Sequence, residues 1–143
     1  MCISFAICNV PAVSVEHPNA ALLRRLYDAY ARRDRETICS LLAEDCRWNV
    51  PGRGPKSGTH VGHAAILELF RDLMRASKGS AVIELHDVLA NDTTAVALQT
   101  GRATIDGVTS DLKEVLVHTI RDGKVVDMWE YQFDLYAFDA MLP

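Results

Sequence analysis

Length, composition and charge already narrow the class of protein. The chain has 143 residues, of which 49% are apolar and 24% charged, with a formal net charge of -4 at neutral pH. One domain of this size buries about two thirds of its unfolded surface, and the apolar content is too high for a disordered chain. The basic residues are scattered, and most lie beside acidic ones. They therefore do not form the basic stripe that binding of nucleic acid requires.

The first residues of the chain differ from the rest in composition. They are mostly apolar, but they lack the positive start and the small-residue cleavage site of a signal peptide. No apolar run approaches the roughly 20 residues that a membrane span needs. We interpret residues 1–16 as an arm or extra strand and residues 17–143 as the domain. Four cysteines without metal-type spacing indicate inert thiols in a reducing cytoplasm; they are Cys2, Cys8, Cys39 and Cys46.

Helical periodicity dominates the first half of the domain. Capping residues and apolar stripes predict three helices, which begin after His17, Asp34 and Gly62. The expected caps of the first two are Asn19 and Asp34. A short strand is expected at residues 48–50. The stretch rich in Gly and Pro at residues 52–58 is typical of a loop.

From residue 81 onwards the apolar period changes to two, which predicts long strands. Asp106-Gly107 and Asp122-Gly123 are typical two-residue hairpin turns, because both central residues need positive φ. A run of helices followed by an antiparallel meander indicates an α+β fold with the helices on one face of the sheet. The predicted strands are Ala81–Leu89, Thr93–Ile105, Val108–Ile120 and Val125–Phe133.

The second face of the sheet is expected to be mixed in polarity. Such a face is too apolar for open water, and we therefore predict a homodimer through the sheet. The residues expected on this face are Val115, Val117, Thr119, Met128, Glu130 and Gln132.

Three segments of the chain resemble a known family. They read HPNAALLRRLYDAYARRDRETICSLLAEDCRWNVPG, SGTHVGHAAILELFRDL and HTIRDGKVVDMWEYQFDLYAF. Across residues 17–139 the chain resembles the SnoaL-like branch of the nuclear-transport-factor-2-like superfamily, which also holds ketosteroid isomerases, limonene epoxide hydrolases and polyketide cyclases. The resemblance implies a cone-shaped fold, with helices on a curved antiparallel sheet around an internal pocket. For the reaction it is poorly specific, because one scaffold hosts many functions.

The last hairpin predicts which side chains share the pocket. If Asp122-Gly123 is a two-residue turn, His118 pairs with Asp127, and alternation places Trp129 and Tyr131 on the same inner face. A carboxylate beside an imidazole fixes its tautomer and raises its pKa, which makes His118 a candidate general acid or base. A simple surface pair near the turn is the alternative.

The resemblance implies catalytic positions as well. Polyketide cyclases of the family use a histidine and an aspartate late in the sheet for proton transfer. His118 stands at a position like that of the family's histidine, and Asp134 is the nearest match to the aspartate, displaced by about one residue. Asp134 is equally suited to cap a C-terminal helix.

Further candidates for the pocket are aromatic side chains and one histidine. Flat rings suit polycyclic or isoprenoid substrates, and tyrosine hydroxyl groups can donate to a developing oxyanion. The histidine, in a predicted strand, contributes only if its side chain rather than that of the next residue points inwards. These residues are Trp48, Trp129, Tyr27, Tyr30, Tyr131 and His86.

Together these patterns favour a cofactor-independent acid–base enzyme that acts on a small hydrophobic substrate. Aldol-type cyclisation and double-bond isomerisation rank above epoxide opening, for which the face of Arg102 is open. The alternative is a non-catalytic module for small-molecule binding or dimerisation. The sequence holds no phosphate-binding glycine loop, and His60 and His63 lack the further ligands that zinc needs, so we expect neither cofactor nor metal.

Overall fold

Helices cover one face of a single mixed sheet in the computed structural model, which describes residues 15–141. Within these residues there are four helices and six strands, in the sheet order β2-β1-β6-β5-β4-β3. Only β1 and β6 run parallel among the neighbouring strands. The elements are α1 (Pro18–Arg32), α2 (Arg35–Leu41), β1 (Leu42–Val50), β2 (Gly58–Val61), α3 (Gly62–Ala76), β3 (Val82–Ala90), β4 (Thr94–Ile105), β5 (Val108–Arg121), β6 (Lys124–Gln132) and α4 (Leu135–Met141).

The α+β class predicted from the sequence is confirmed. The interpretation of residues 1–16 as an arm lies, up to residue 14, outside the described residues. None of the helices in residues 15–141 has the length and apolar character needed to cross a bilayer.

The helix starts follow from local capping chemistry. At the start of α1, the imidazole of His17 accepts a hydrogen bond from the backbone N–H of Asn19. The carboxylate of Asp34 accepts from the backbone N–H and the hydroxyl of Thr37, at 3.1 and 2.7 Å. These bonds satisfy amide groups that a helix start leaves without partners. The predicted cap at Asp34 is confirmed, whereas α1 is capped by His17 and not by Asn19.

The two Asp-Gly turns have the geometry that the sequence predicts. Asp106 and Gly107 have φ values of 50° and 81°, and Asp122 and Gly123 have values of 52° and 71°. Positive φ at both central residues matches the twist of the flanking strands. The turns therefore close the β4–β5 and β5–β6 hairpins without extra loop residues.

Beyond the second turn, the pairing of β5 with β6 contains a bulge. Ile120 pairs with Val125 as expected, but Thr119 pairs with Asp127, so that Val126 is an additional residue on β6. A shift of one residue exchanges the two faces of a strand. The predicted partnership of His118 with Asp127 is therefore wrong, and His118 pairs with Met128 instead.

The bulge changes which side chains of β6 meet the helices. Met128, Glu130 and Gln132 lie on the inner face, where the sequence analysis had expected Asp127, Trp129 and Tyr131. Met128 and Glu130 are buried, whereas Trp129 and Tyr131 are 49% and 54% exposed. On β5 the predicted faces are correct, because the extra residue lies on the other strand.

The main core lies between α1, α2, α3 and the inner face of the sheet. Burial also raises the pKa of the Cys46 thiol to about 12, so this cysteine stays protonated as a small apolar residue. The largest fully buried apolar side chains are Leu23, Leu26, Leu42, Ile66, Val125 and Met128.

Candidate functional site

A cavity of about 580 Å³ opens between the helices and the inner face of the sheet. Its size is within the range of small-molecule sites, and its walls are largely apolar. Phe138 and Met141 on α4 close one side. Apolar wall residues from the other elements include Val50, Leu69, Phe70, Leu73, Met74 and Leu112.

Two carboxyl groups face this cavity from adjacent strands. Glu114 lies on β5 and Glu130 on β6, and both belong to the cavity lining. The side-chain amide of Gln132 donates to both carboxyl groups, with a distance of 2.7 Å to Oε1 of Glu130. The indole N–H of Trp48 donates to Oε2 of Glu130 at 3.1 Å. The two carboxyl groups are thus joined through one amide.

A second set of hydrogen bonds reaches Glu114 from α1. The hydroxyl of Tyr27 donates to the side-chain carbonyl oxygen of Gln99, and the amide nitrogen of Gln99 donates to Oε1 of Glu114. Tyr27 and Gln99 are both buried. No ion pair found within the described range of residues 15–141 includes Glu114 or Glu130.

Burial without a cation changes the titration of the pair. Burial and, to a smaller extent, the adjacent Glu114 together raise the pKa of Glu130 to about 8. Burial also raises the pKa of Glu114, although the hydrogen bonds from Gln99 and Gln132 oppose this rise. Two carboxyl groups joined through one amide resist ionising together. Glu130 is the more deeply buried of the two, so burial disfavours its charged form more strongly.

An aromatic wall stands beside the carboxyl groups. The ring of Phe70 lies 5.2 Å from that of Trp48 and 4.6 Å from that of Tyr30, between ring centroids. The Tyr30 hydroxyl is buried and has no hydrogen-bond partner among the described residues. Burial raises the pKa of Tyr30, so its hydroxyl stays a proton donor. Tyr30 therefore contributes to the cavity lining, while its hydroxyl is enclosed by the protein.

His118 is buried but does not line the cavity. Its side chain has 0% exposure, and neither ring nitrogen has a hydrogen-bond partner among residues 15–141. The ring lies 6.3 Å from that of Tyr27, between centroids. Burial lowers the pKa of His118 to about 4, the opposite of the direction expected from a neighbouring carboxylate. The imidazole is neutral and belongs to the core.

Asp127 has different partners on the outer face of the sheet. Its carboxylate accepts from the indole N–H of Trp129 at 2.8 Å and from the side-chain amide of Asn49 at 3.1 Å. It also forms an ion pair with Arg47, with 3.2 Å between the two groups. Asp127 is thus bound to neighbours of β1 and β6 and not to His118.

Asp134 is exposed and accepts a hydrogen bond from the backbone N–H of Ala137 at 2.9 Å. It caps α4, which is the second of the two interpretations offered by the sequence.

Nε2 of His86 lies 2.8 Å from the hydroxyl of Thr100, and His86 is exposed outside the cavity lining. Five aromatic residues and one histidine were proposed for the pocket. The cavity lining contains Trp48, Tyr27 and Tyr30 but not Trp129, Tyr131 or His86.

The sequence reasoning missed Glu114, Glu130 and Gln99 as cavity residues. A weak signal was available, because Glu130 and Gln132 alternate with two aromatic residues along β6. Bulk alone favoured placing the aromatic residues inside. Only the bulge at Val126 decides between the two faces, and it has no marker such as Gly or Pro.

One carboxylate of α4 itself holds the edge of the cavity in place. Oδ1 of Asp139 accepts from the backbone N–H groups of Arg53 and Gly54, at 2.9 and 3.3 Å. A Cβ atom at Gly52 would overlap this carboxylate. Asp139 thereby attaches α4, which has no buried residue of its own, to the loop after β1.

Comparison with known proteins gives consistent matches over nearly the whole domain. A model of the SnoaL-like domain matches residues 23–128. An uncharacterised protein of Mycobacterium tuberculosis is 29% identical over 120 residues, which span 83% of this chain and 92% of that protein. The solved structure of Bal32a, from a soil-derived mobile gene cassette, superposes with a TM-score of 0.85 at 30% identity and covers 88% of this chain and 97% of its own. TerC, co-crystallised with polyporic acid, has a TM-score of 0.76 at 27% identity and covers 87% of this chain and 98% of its own.

Proposed function

This chain belongs to the SnoaL-like family, and we propose that it is a cofactor-independent acid–base enzyme acting on a small hydrophobic molecule in the cavity. The observation that carries the proposal is the buried pair of Glu114 and Glu130, which faces apolar walls without a cation. TerC, at 27% identity, was co-crystallised with polyporic acid, which supports a small molecule as the occupant of this cavity.

In the proposed mechanism, the Glu114 carboxylate removes a proton from a carbon next to a carbonyl group. The Tyr30 hydroxyl is enclosed in the free protein, and a rotation of this side chain on substrate binding would let it donate a hydrogen bond to the carbonyl oxygen as negative charge develops there. Glu130, already protonated, delivers a proton to a second position, and the pair recovers its single proton from the one that Glu114 has taken. Double-bond isomerisation and aldol-type cyclisation both need such a transfer. A positioned base or acid of this kind contributes about 10²–10⁴-fold to a rate.

The proposal assigns proton transfer to the glutamates and not to the residues expected from the sequence. His118, Asp127 and Asp134 do not line the cavity. Epoxide opening ranks below the other reactions, because Arg102 forms an ion pair with Asp111 and is thus already bound to a carboxylate other than the candidate pair.

Hydrogen–deuterium exchange tests the proposal without knowledge of the natural substrate. In D2O, loss of the proton NMR signals beside the carbonyl group would be followed for a panel of neutral cyclic ketones and 1,3-diketones. We expect the wild-type protein to accelerate exchange and Glu114→Gln to reduce it by about 10²-fold or more. Asp134→Asn, outside the cavity, is the matched control and keeps the wild-type rate. Equal rates for Glu114→Gln and wild type would contradict the assignment.

One observation favours a second function, that of a binding module. Both carboxyl groups already accept two hydrogen bonds each from the protein, and a closed network of this kind also suits ligand binding without turnover. The same experiment separates the two functions. Wild-type protein that binds members of the panel, as seen by ligand-detected NMR, but exchanges none of them would favour the binding module.

We also propose that two copies pair through the outer face of the sheet. Trp129 and Tyr131 are half exposed on this face and lie beside the half-buried Val117 and Val115 of β5. Burial of these side chains in a symmetric contact would remove them from water. Light scattering should give a dimer for the wild type and a monomer for Trp129→Glu, whereas Val108→Glu, at an exposed turn position, should remain dimeric. A dimeric Trp129→Glu protein would argue for another interface.

A cytoplasmic location is the last part of the proposal. Cys39 and Cys46 are both free thiols, as is usual in a reducing compartment. Cell fractionation should recover the protein with cytoplasmic markers, and recovery with secreted proteins would contradict this location.

A further inference from the structure

A line of hydrogen bonds runs from the first helix into the candidate site. It begins at the Tyr27 hydroxyl, passes through the side chain of Gln99 and ends on Oε1 of Glu114. All of its members lie on different elements, α1, β4 and β5. We propose that Tyr27 and Gln99 are positioning residues that hold Glu114 in its ionised form, so that Glu114 serves as the base and Glu130 keeps the proton.

The direction of the line follows from the Tyr27 hydroxyl. Gln99 is its hydrogen-bond partner, and the hydroxyl proton needs an acceptor because it is buried. The carbonyl oxygen of Gln99 supplies that acceptor, which turns the NH₂ group of Gln99 towards Glu114. With the amide reversed, the tyrosine proton would be buried without a partner, which is costly.

The NH₂ group of Gln99 then discriminates between the two states of Glu114. An amide N–H can only donate, and a donated hydrogen bond stabilises a carboxylate more than a neutral carboxyl group. Gln132 donates to both glutamates, so it does not decide between them. The contribution of Gln99 goes to Glu114 alone.

Glu130 lacks an equivalent line of contacts. Its own remaining donor is the indole of Trp48, at 3.1 Å, and its deeper burial disfavours the charged form. Burial and the Tyr27–Gln99 line thus act in the same direction, and together they separate the roles of two otherwise identical side chains.

The remaining titratable groups around the pair do not reverse this order. Tyr27 and Tyr30 stay neutral because burial raises the pKa of both. Lys56 and Asp72, at another part of the cavity lining, form an ion pair with each other. The charged and titratable residues that line the cavity are, by element, Tyr27 and Tyr30 on α1, Arg33 directly after it, Lys56 on the loop after β1, Asp72 on α3, Arg102 on β4, Asp106 in the following turn, Glu114 on β5 and Glu130 on β6.

The inference rests on the proposed function for the catalytic use of Glu114, but its physical content can be measured without a substrate. Carbon-detected NMR of the side-chain carboxyl carbons reports the titration midpoint of each glutamate in the free protein. In the wild type, Glu114 should ionise at lower pH than Glu130. Tyr27→Phe should raise the midpoint of Glu114 by about half to one pH unit.

Tyr30→Phe is the matched control, because it removes a buried hydroxyl from the same helix that has no partner in residues 15–141. It should leave both midpoints unchanged. Gln99→Met keeps the side-chain length but removes the donor, and it should raise the midpoint of Glu114 at least as much as Tyr27→Phe. Gln99→Met also provides the test if Tyr27→Phe does not fold.

Either of two results would overturn the inference. One is a Glu114 midpoint in Gln99→Met equal to that of the wild type. The other is an equal shift in Tyr27→Phe and Tyr30→Phe, which would indicate a general effect of helix packing. Absence of ketone exchange by a protein that shows the expected midpoints would refute the proposed enzyme and leave the Tyr27–Gln99 line intact.

Discussion

The buried, neutral His118 makes a specific prediction about stability at acidic pH. Burial lowers the pKa of His118 to about 4 in the folded protein, against about 6.5 in an unfolded chain. Between these values the unfolded chain binds a proton that the folded protein does not. Stability from this residue is therefore complete above about pH 6.5 and is lost as the pH falls towards about 4.

The size of the loss follows from the shift in pKa. Each pH unit corresponds to about 1.4 kcal/mol, so the free energy of unfolding should fall by roughly 2–3 kcal/mol between about pH 8 and pH 4.5 through His118 alone. Other groups titrate over the same range. A comparison with His118→Leu isolates the contribution, because leucine has a similar volume and does not titrate.

Urea denaturation of both proteins at several pH values would measure this difference. We expect the stability of His118→Leu relative to the wild type to increase by roughly 2–3 kcal/mol as the pH is lowered from about 8 to 4.5. The exposed His86 provides the control, since His86→Leu removes an imidazole without changing a buried group. A stability difference between His118→Leu and wild type that does not change with pH would refute the reasoning.

Three further predictions concern the carboxyl pair, the edge of the cavity and the bulge. The pKa of Glu130 is raised to about 8, so its contribution to stability is complete below about pH 4.5 and is lost as the pH rises through about 8. Glu130→Gln should lack this loss between about pH 4.5 and 8 in urea titrations. An equal loss in the variant and the wild type would contradict the raised pKa. Gly52→Ala should lower the free energy of unfolding by about 1–2 kcal/mol more than Gly107→Ala. Both glycines have positive φ, but only at Gly52 would the new Cβ meet the Asp139 carboxylate. Equal losses in the two variants would show that this contact does not matter. Deletion of Val126 should leave a cooperative unfolding transition. Without the extra residue, a regular hairpin still pairs Thr119 with Asp127 and His118 with Met128, so the faces of β6 do not change. Loss of the cooperative transition would argue against the bulge.

Much of the fold is encoded in short stretches of sequence. The cap at Asp34 and the turns at Asp106-Gly107 and Asp122-Gly123 depend on the chemistry of a few neighbouring residues, and each is present as predicted. The same turn chemistry placed the last hairpin correctly as far as Val125. Local signals were sufficient wherever the deciding contacts lie within about one turn of chain.

The candidate site was not encoded in this local way. Beyond Val125, the register of β6 is set on both sides, by β5 and by the parallel strand β1, whose pairing shows an irregularity at the same place. Arg47 and Asn49 on β1 supply the partners of Asp127 on the outer face. These contacts span about 80 residues of sequence, and a periodic pattern within one strand contains no information about them.

The bulge also gives β6 the less favourable face by the criterion of burial alone. With the register predicted from the turn, Trp129 would be inside and Glu130 would be in water. In the observed register, a carboxyl group without a cation is buried, and an indole is half exposed. Both placements cost free energy in an isolated monomer. Both are understandable if the inner face serves proton transfer in a cavity and the outer face is covered by a second copy. The structure thus departs from the rule that apolar side chains are buried and carboxyl groups exposed mainly on β6. The departures are at Glu130, which the proposed proton transfer uses, and at Trp129, which the proposed dimer contact uses.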